Sequence, residues 1–293
     1  ECVPLVFVRP FAYSLAHLEA ARKVGATGFL PRTTPEECLV DNAAAHLLHT
    51  VGTRVPLSRT FHRVAKANGV SLPQGLFAGL TADLNLIASA PHLLPRWLEM
   101  PDGHQVVGPV YANLPGEVPE FVTDLAAGPK PLVYFAVGSS GNRELVLDVL
   151  RGLGRADCQV LAPVRSHLHQ EDLETLPLNI HVTDWIPTHQ LGDAVDLAIT
   201  HGGEGTVQTS CVQGWPFIGI PLQLEQRFNV QRCVAFGSAR LVSQKEARRA
   251  DWAALVREAL ADDVMRSRAR RVAELMKGLD GPGQAAEAIC KLL

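Results

Sequence analysis

The stretch His201-Gly202-Gly203-Glu204-Gly205-Thr206 has the make-up of an anion site. Glycines let a ligand approach the backbone closely, and backbone N–H groups after them can point at an oxyanion. A histidine at the same turn adds one more hydrogen-bonding group. Neither common phosphate loop is present. Gly203-Glu204-Gly205-Thr206-Val207-Gln208 has glutamine where a dinucleotide fingerprint needs its third glycine, and no lysine follows to complete a P-loop. A second turn, Gly138-Ser139-Ser140-Gly141, departs by one residue from the nucleophile-elbow pattern G-x-S-x-G. It therefore predicts a phosphate- or base-contacting loop in preference to a serine nucleophile. His167 and His169 have the look of a metal pair, but no third ligand has suitable spacing, so they read as solvated residues at a helix start. No D-x-D metal-binding pair occurs in the chain.

Such turns need strands to carry them. Val195, Leu197 and Ile199 alternate as in a short strand ahead of His201, and Val207, Ser210 and Cys211 follow helical spacing up to Gly214 and Pro216. Strand, glycine turn and helix in that order aim the positive end of the helix at whatever lies above the turn. The alternation recurs around it. Residues 132–137 read as a buried strand, 144–153 as a helix, and 158–161, 180–182 and 217–220 as further strands. Trp252, Leu255, Val256, Ala259 and Leu260 mark one apolar helix face, and Val272, Leu275, Met276 and Leu279 another. An α/β chain is predicted, with about six or seven parallel strands from Pro131 onward, helices on both faces and ligands beyond the strands' carboxyl ends.

The first part of the chain is less regular. Residues 3–8 form a near-continuous apolar run, as in a parallel strand covered on both faces, yet nothing precedes them to supply the cover. Such a strand is expected to lack neighbours and to leave apolar surface exposed. Helices are expected at 34–48 and 59–67, and strands at 84–88 and 105–108. Residues 109–131 are rich in proline and glycine with little periodicity, and are expected to connect two domains. Gly281-Pro282-Gly283 breaks the chain before a last helix.

A length of 293 residues allows one large domain or two ordinary ones. Hydrophobic content of 47%, charged content of 19% and a net charge of −3 describe a globular chain with ample core. That balance gives no sign of a nucleic-acid partner, and Arg248-Arg249 and the run 268–271 read as solvated helix faces. No apolar run reaches the ~18 residues of a membrane span. The six cysteines, at 2, 38, 158, 211, 233 and 290, are scattered without a C-x-x-C pair. They predict free thiols and a cytoplasmic location.

Five elements in order across residues 185–230 carry a resemblance. Trp185-Ile186-Pro187, His201 to Thr206, Gly214-Trp215-Pro216, Pro221 with Glu225-Gln226, and Asn229-Val230 stand in sequence. The set resembles the donor-binding signature of GT-B nucleotide-sugar glycosyltransferases of family 1, the UDP-glucuronosyltransferase / macrolide glycosyltransferase type. The family pattern is W-x-P, H-G-G-x-G-T, G-x-P, then P with an acid-Gln pair and Asn-Ala. The resemblance implies two Rossmann-like domains, the N-terminal one incomplete. It assigns residues 1–112 to a partial acceptor-side domain, 113–130 to a linker, 131–281 to the donor domain, and 282–293 to a helix returning to the first domain.

The implied activity is metal-independent, inverting transfer of a sugar from a UDP- or dTDP-sugar to a hydroxyl of a lipophilic small molecule. The nucleotide-sugar is a co-substrate, and no further cofactor is implied. Its implied donor-binding set is Gly138, Ser139, Ser140, Trp185, Ile186, His201, Gly202, Gly203, Gly205, Thr206, Thr209, Glu225 and Gln226. Within it, Trp185 would stack on the base, a contact worth ~1–3 kcal/mol. His201, the amides of 203–206 and the Thr206 hydroxyl would meet the pyrophosphate, and Glu225 with Gln226 the sugar hydroxyls. Thr209 stands where many relatives carry a glutamate for the ribose. The family's catalytic histidine and its aspartate are not matched, since none of His17, His46, His49 and His62 fits the motif. A homodimer or a complementing chain would then cover the incomplete domain. The alternative is a non-catalytic nucleotide-sugar-binding module that needs a partner chain for its base; a nucleotide-sugar epimerase ranks third.

Overall fold

The computed structural model describes residues 4–9, 43, 47, 50, 51, 54–71, 75, 82–94, 100–110 and 115–292. Two compact units emerge, one of Glu1–Val110 with Asp280–Leu293, the other of Tyr111–Leu279.

In the first unit β1 (Val6–Arg9), β2 (Leu84–Ile87) and β3 (His104–Val106) form a parallel sheet in the order β1-β2-β3, with α1 (Arg59–Ala67) between β1 and β2 in the chain. The register pairs Val6 with Leu84 and Asn85 with His104. Leu86, Ile87 and Val107 are fully buried. β1 pairs only with β2 among the described residues, and Val8 remains 48% exposed. Its run of apolar residues is thus not covered on both faces. The helix expected at 34–48 lies largely outside the described residues.

The connection expected at 109–131 holds a helix, α2 (Glu120–Ala127). Sequence periodicity missed it because only Val122 is buried. Pro119 precedes the first turn, where a missing N–H costs nothing, and Glu120 sits at the positive end.

The second unit then alternates. β4 (Leu132–Ala136) leads to α3 (Arg143–Leu153), β5 (Gln159–Ala162) to the short α4 (Gln170–Leu173), and β6 (Ile180–Val182) follows. β7 (Leu197–Thr200) leads to α5 (Glu204–Gln213), β8 (Phe217–Gly219) to α6 (Leu224–Phe236), and β9 (Ala239–Leu241) precedes α7 (Gln244–Ala247), α8 (Trp252–Leu260) and α9 (Asp263–Met276). All six strands are parallel, in the order β6-β5-β4-β7-β8-β9. Every residue of β4 is buried, which explains why its sequence is a continuous apolar run with no alternation. α3 buries Leu145, Val146, Val149, Leu150 and Leu153 against it, each worth ~1.5–3 kcal/mol. The Asn142 side chain caps α3 by accepting from the Leu145 amide at 2.9 Å. Gly152 lets α8 approach α3, for a Cβ there would stand 2.4 Å from the Trp252 ring.

The last helix, α10 (Gly281–Leu292), belongs to the first unit, where Ala285 and Ala288 pack with Leu86 and Val107. Gly281 lies against the chain after β3, and a Cβ on it would fall 2.1 Å from the Pro109 carbonyl oxygen.

Strand order locates the site. After β4 the chain runs outward through β5 and β6, then returns to lay β7 on the other side of β4 and continues to β8 and β9. A crevice opens where the direction reverses, above the carboxyl ends of β4 and β7.

Candidate functional site

β4 runs out into Gly138 and β7 into His201, so the two sequence turns meet at that crevice. The His201 imidazole sits between two glycines. A Cβ on Gly138 would stand 2.8 Å from its Cε1, and one on Gly203 2.4 Å from its Nε2. Gly138 also has a φ of +52°, a region that side chains disfavour. Only 7% of His201 is exposed, and its Nδ1 has no hydrogen-bond partner among the described residues. Burial holds its pKa below the ordinary histidine range; the Ala136 carbonyl opposes the shift, and nearby His167 adds to it. The ring is therefore neutral at pH 7.

The turn after His201 is tightly built. Gly202 takes a φ of +83°, and a Cβ there would meet Val230 at 2.6 Å and the Gln226 carbonyl oxygen at 2.8 Å. Asn229 donates from Nδ2 to the Gly202 oxygen at 3.1 Å. The Thr200 hydroxyl accepts from the Gly202 amide at 3.3 Å and donates to Thr206 Oγ1 at 2.8 Å. Thr206 in turn donates to the Gly203 oxygen at 2.9 Å. This chain stitches the end of β7 to the first turn of α5. It directs the Thr206 hydroxyl proton to the turn's own backbone. The first intrahelical donor is Val207 N, to the Gly203 oxygen at 3.0 Å, so the amides of Gly205 and Thr206 precede the ladder. Together with the dipole of α5 they form the anion-facing end of the helix.

A cavity of ≈ 730 Å³ opens beside this end. Gly138, Ser139, Trp185, Ile186, Gly205, Thr206 and Thr209 of the expected set line it. Trp185 is 54% exposed, and its ring edge rests on Gly116, where a Cβ would come within 3.1 Å. Ile186 is buried. Thr209 turns its hydroxyl back to the Gly205 oxygen at 2.9 Å.

The cavity is also lined by Tyr134, Arg165, His167, Asp184, His189 and Gln213, which sequence reading missed. Arg165 follows β5 and Asp184 follows β6, so the rule that ligands sit beyond strand ends carried a usable signal for both. Their charges face each other at 3.9 Å. Burial pushes the Tyr134 hydroxyl far above its usual range.

Ser140, His201, Gly202, Gly203, Glu225 and Gln226 stand outside this lining. Gln226 is only 2% exposed. Its Oε1 accepts from the amides of Leu222 at 2.8 Å and Gln223 at 3.1 Å, and its Nε2 donates to Ser140 Oγ at 3.1 Å. The amide thereby ties α6 to the loop after β4. Glu225 is half-buried, and its carboxylate accepts from the Gln226 amide.

The histidine pair after β5 does local work. His167 Nε2 lies 2.7 Å from the Gly138 oxygen. The His169 amide donates to Asp172 at 2.8 Å, and Asp172 is gripped by Arg143, whose Nε donates at 2.7 Å. That guanidinium holds the Asp172 pKa below the usual carboxylate range. No group of three metal-ligating side chains occurs among the described residues.

Known proteins bear on this geometry. Residues 147–292 match the family described as erythromycin biosynthesis protein CIII-like, C-terminal domain. The chain is 29% identical over 192 residues to a PGL/p-HBAD biosynthesis glycosyltransferase of Mycobacterium tuberculosis (strain ATCC 25177 / H37Ra), covering 66% of this chain and 44% of that protein. It is 30% identical over 236 residues to 4'-demethylrebeccamycin synthase of Lentzea aerocolonigenes, covering 75% and 53%. The chain thus spans about half the length of these relatives. Among solved structures it resembles the glycosyltransferase VinC, determined in complex with dTDP, with a TM-score of 0.62 at 17% identity over 87% of this chain and 63% of that one. That likeness concerns the fold alone, which is of the GT-B class.

Proposed function

We propose, for a chain whose residues 147–292 belong to the erythromycin biosynthesis protein CIII-like C-terminal family, that it binds a UDP- or dTDP-sugar and serves metal-independent, inverting transfer of the sugar to a hydroxyl of a lipophilic small molecule. The curated relatives include a PGL/p-HBAD biosynthesis glycosyltransferase. The observation that supports the reading most is the buried His201 imidazole, set between Gly138 and Gly203 beside the start of α5, at the point where strand order reverses. A pyrophosphate set there would meet the Gly205 and Thr206 amides, the helix dipole and the imidazole together. Its base would reach along the cavity to Trp185 and Ile186, with the ribose near Thr209. Gly138 and Ser139 line the same cavity, and Glu225 with Gln226 at the start of α6 would hold the sugar.

As the nucleotide departs, negative charge grows on its terminal phosphate. Fixed donors need no reorganisation to meet it, and one well-placed donor is worth ~3–4 kcal/mol, against ~0.3–1 for a helix end alone. His201→Ala should therefore weaken binding of the free nucleoside diphosphate and lower the transfer rate further, because the transition state loses more than the ground state. Glu225→Ala should leave nucleoside diphosphate affinity nearly unchanged while weakening the intact nucleotide-sugar. Calorimetry of both ligands on both variants, without added metal, tests the assignment. Equal loss of both ligands in Glu225→Ala, or no loss of either in His201→Ala, would overturn it.

A further inference from the structure

The start of α5 offers an anion backbone amides and a helix dipole beside the His201 ring, and none of these carries a permanent charge. The cavity next to it does hold one. Arg165 has the only guanidinium or ammonium group that lines it among the described residues, and Asp184 the only carboxylate. The two pair with each other, Nε to Oδ2, at 3.9 Å, which is beyond hydrogen-bond reach. Their side chains are 44% and 83% exposed, so solvent screens the pair and the guanidinium is loosely held. The turn that carries Arg165 is by contrast fixed. The Arg165 amide donates to the Thr183 oxygen at 3.1 Å, and two residues on His167 Nε2 donates to the Gly138 oxygen at 2.7 Å. Gly138 is the residue packed against the His201 ring. The backbone of this turn is thus anchored to the loop beside His201, while the charge at the tip of the Arg165 side chain has only a weak partner.

We propose that Arg165 exchanges its partner, leaving Asp184 for the pyrophosphate of the bound nucleotide-sugar, so that Asp184 competes with the ligand for this cation. The inference rests on the donor-site reading above and adds to it the permanent positive charge that the amides and the helix dipole do not supply. A guanidinium presents two parallel N–H groups to phosphate oxygens, in charge-assisted bonds roughly twice as strong as neutral ones. Exchange loses little, because an exposed ion pair contributes little to stability. The base of the nucleotide is the less suitable partner for Arg165. A neutral base gives the guanidinium no charge in return for that of Asp184, whereas both phosphates of a nucleotide-sugar are ionised at neutral pH.

The test is calorimetry of the full chain with UDP and dTDP, and by displacement with uridine and thymidine, without added metal. Arg165→Gln should weaken the two diphosphates roughly tenfold and the two nucleosides less than about twofold. Asp184→Asn should tighten the diphosphates roughly threefold, and that gain should vanish in Arg165→Gln/Asp184→Asn. Rising salt should weaken diphosphate binding by the parent more steeply than by Arg165→Gln. All three variants should melt as the parent does, so that the changes are read in binding alone. Equal diphosphate binding by the parent and Arg165→Gln would overturn the proposal and leave the donor site standing. So would a nucleoside loss as large as the diphosphate loss, or a gain from Asp184→Asn that persists without Arg165. A parent chain that binds neither diphosphate would overturn the donor-site reading itself, and this proposal with it.

Discussion

Gly138 and Gly203 flank the His201 imidazole at distances, 2.8 and 2.4 Å from where a Cβ would stand, that no side chain could share. The ring is thus fixed by the absence of neighbours' side chains, and fixed in a buried place. Burial has a titration consequence. The folded chain holds the imidazole pKa below its usual range, whereas in the unfolded chain it is about 6.5. Between those two values the unfolded chain carries a proton that the folded chain lacks, so stability rises with pH through this window and is lost as pH falls through it. Urea unfolding followed by tryptophan fluorescence should show the parent losing more stability between pH 7.5 and pH 5 than His201→Gln, which cannot titrate. Equal losses in the two proteins would mean the ring is not held neutral by the fold.

At the scale of elements, the site depends on how closely α6 approaches the ends of β7 and β8. Val230 occupies the contact. Its two methyls stand 2.4 Å from where a Cβ on Gly219 would lie, and one of them 2.6 Å from the equivalent point on Gly202. Overpacking of this sort costs ~1–3 kcal/mol. The two glycines should nevertheless respond differently to a second change. Val230→Ala removes both methyls that oppose Gly219→Ala and should restore much of its loss. Gly202→Ala also meets the Gln226 backbone oxygen at 2.8 Å and needs a φ of +83°, so Val230→Ala should restore little. Double-mutant cycles from denaturant unfolding measure both couplings. Similar rescue at both positions would show that the side chain of Val230 alone sets the spacing.

At the scale of the whole molecule, the chain's last helix belongs to its first compact unit. α10 supplies Ala285 and Ala288 to a small core with Leu86 and Val107, and Gly281 admits it beside Pro109. Gly281→Ala should therefore loosen the first unit by ~1–3 kcal/mol without touching the second. Limited proteolysis reads this directly. Cleavage within residues 1–110 should speed up roughly tenfold, the equivalent of ~1.4 kcal/mol when local opening limits access, while residues 111–279 are cut at the parent's rate. Faster cleavage throughout would mean that α10 stabilises the chain as a whole.

The amino-acid sequence alone settles those features that rest on local pattern. Strand-to-helix alternation predicted the parallel sheet of the second unit, because a strand buried on both faces must be a continuous apolar run, as β4 is. The helix expected at 59–67 takes those bounds, and the glycine turn at 201–206 was legible from its composition. α2 escaped because it buries too little to leave a period. In the site, residue types pointed to an anion near His201, but hydrogen-bond partners come from distant segments. Only the fold decides that Gln226 turns to Ser140, 86 residues away, or that Thr206 holds its proton on Gly203. Arg165, Asp184 and His189 joined the cavity for the same reason: strand order brings the ends of β4, β5 and β6 side by side, and no one-dimensional spacing records that adjacency.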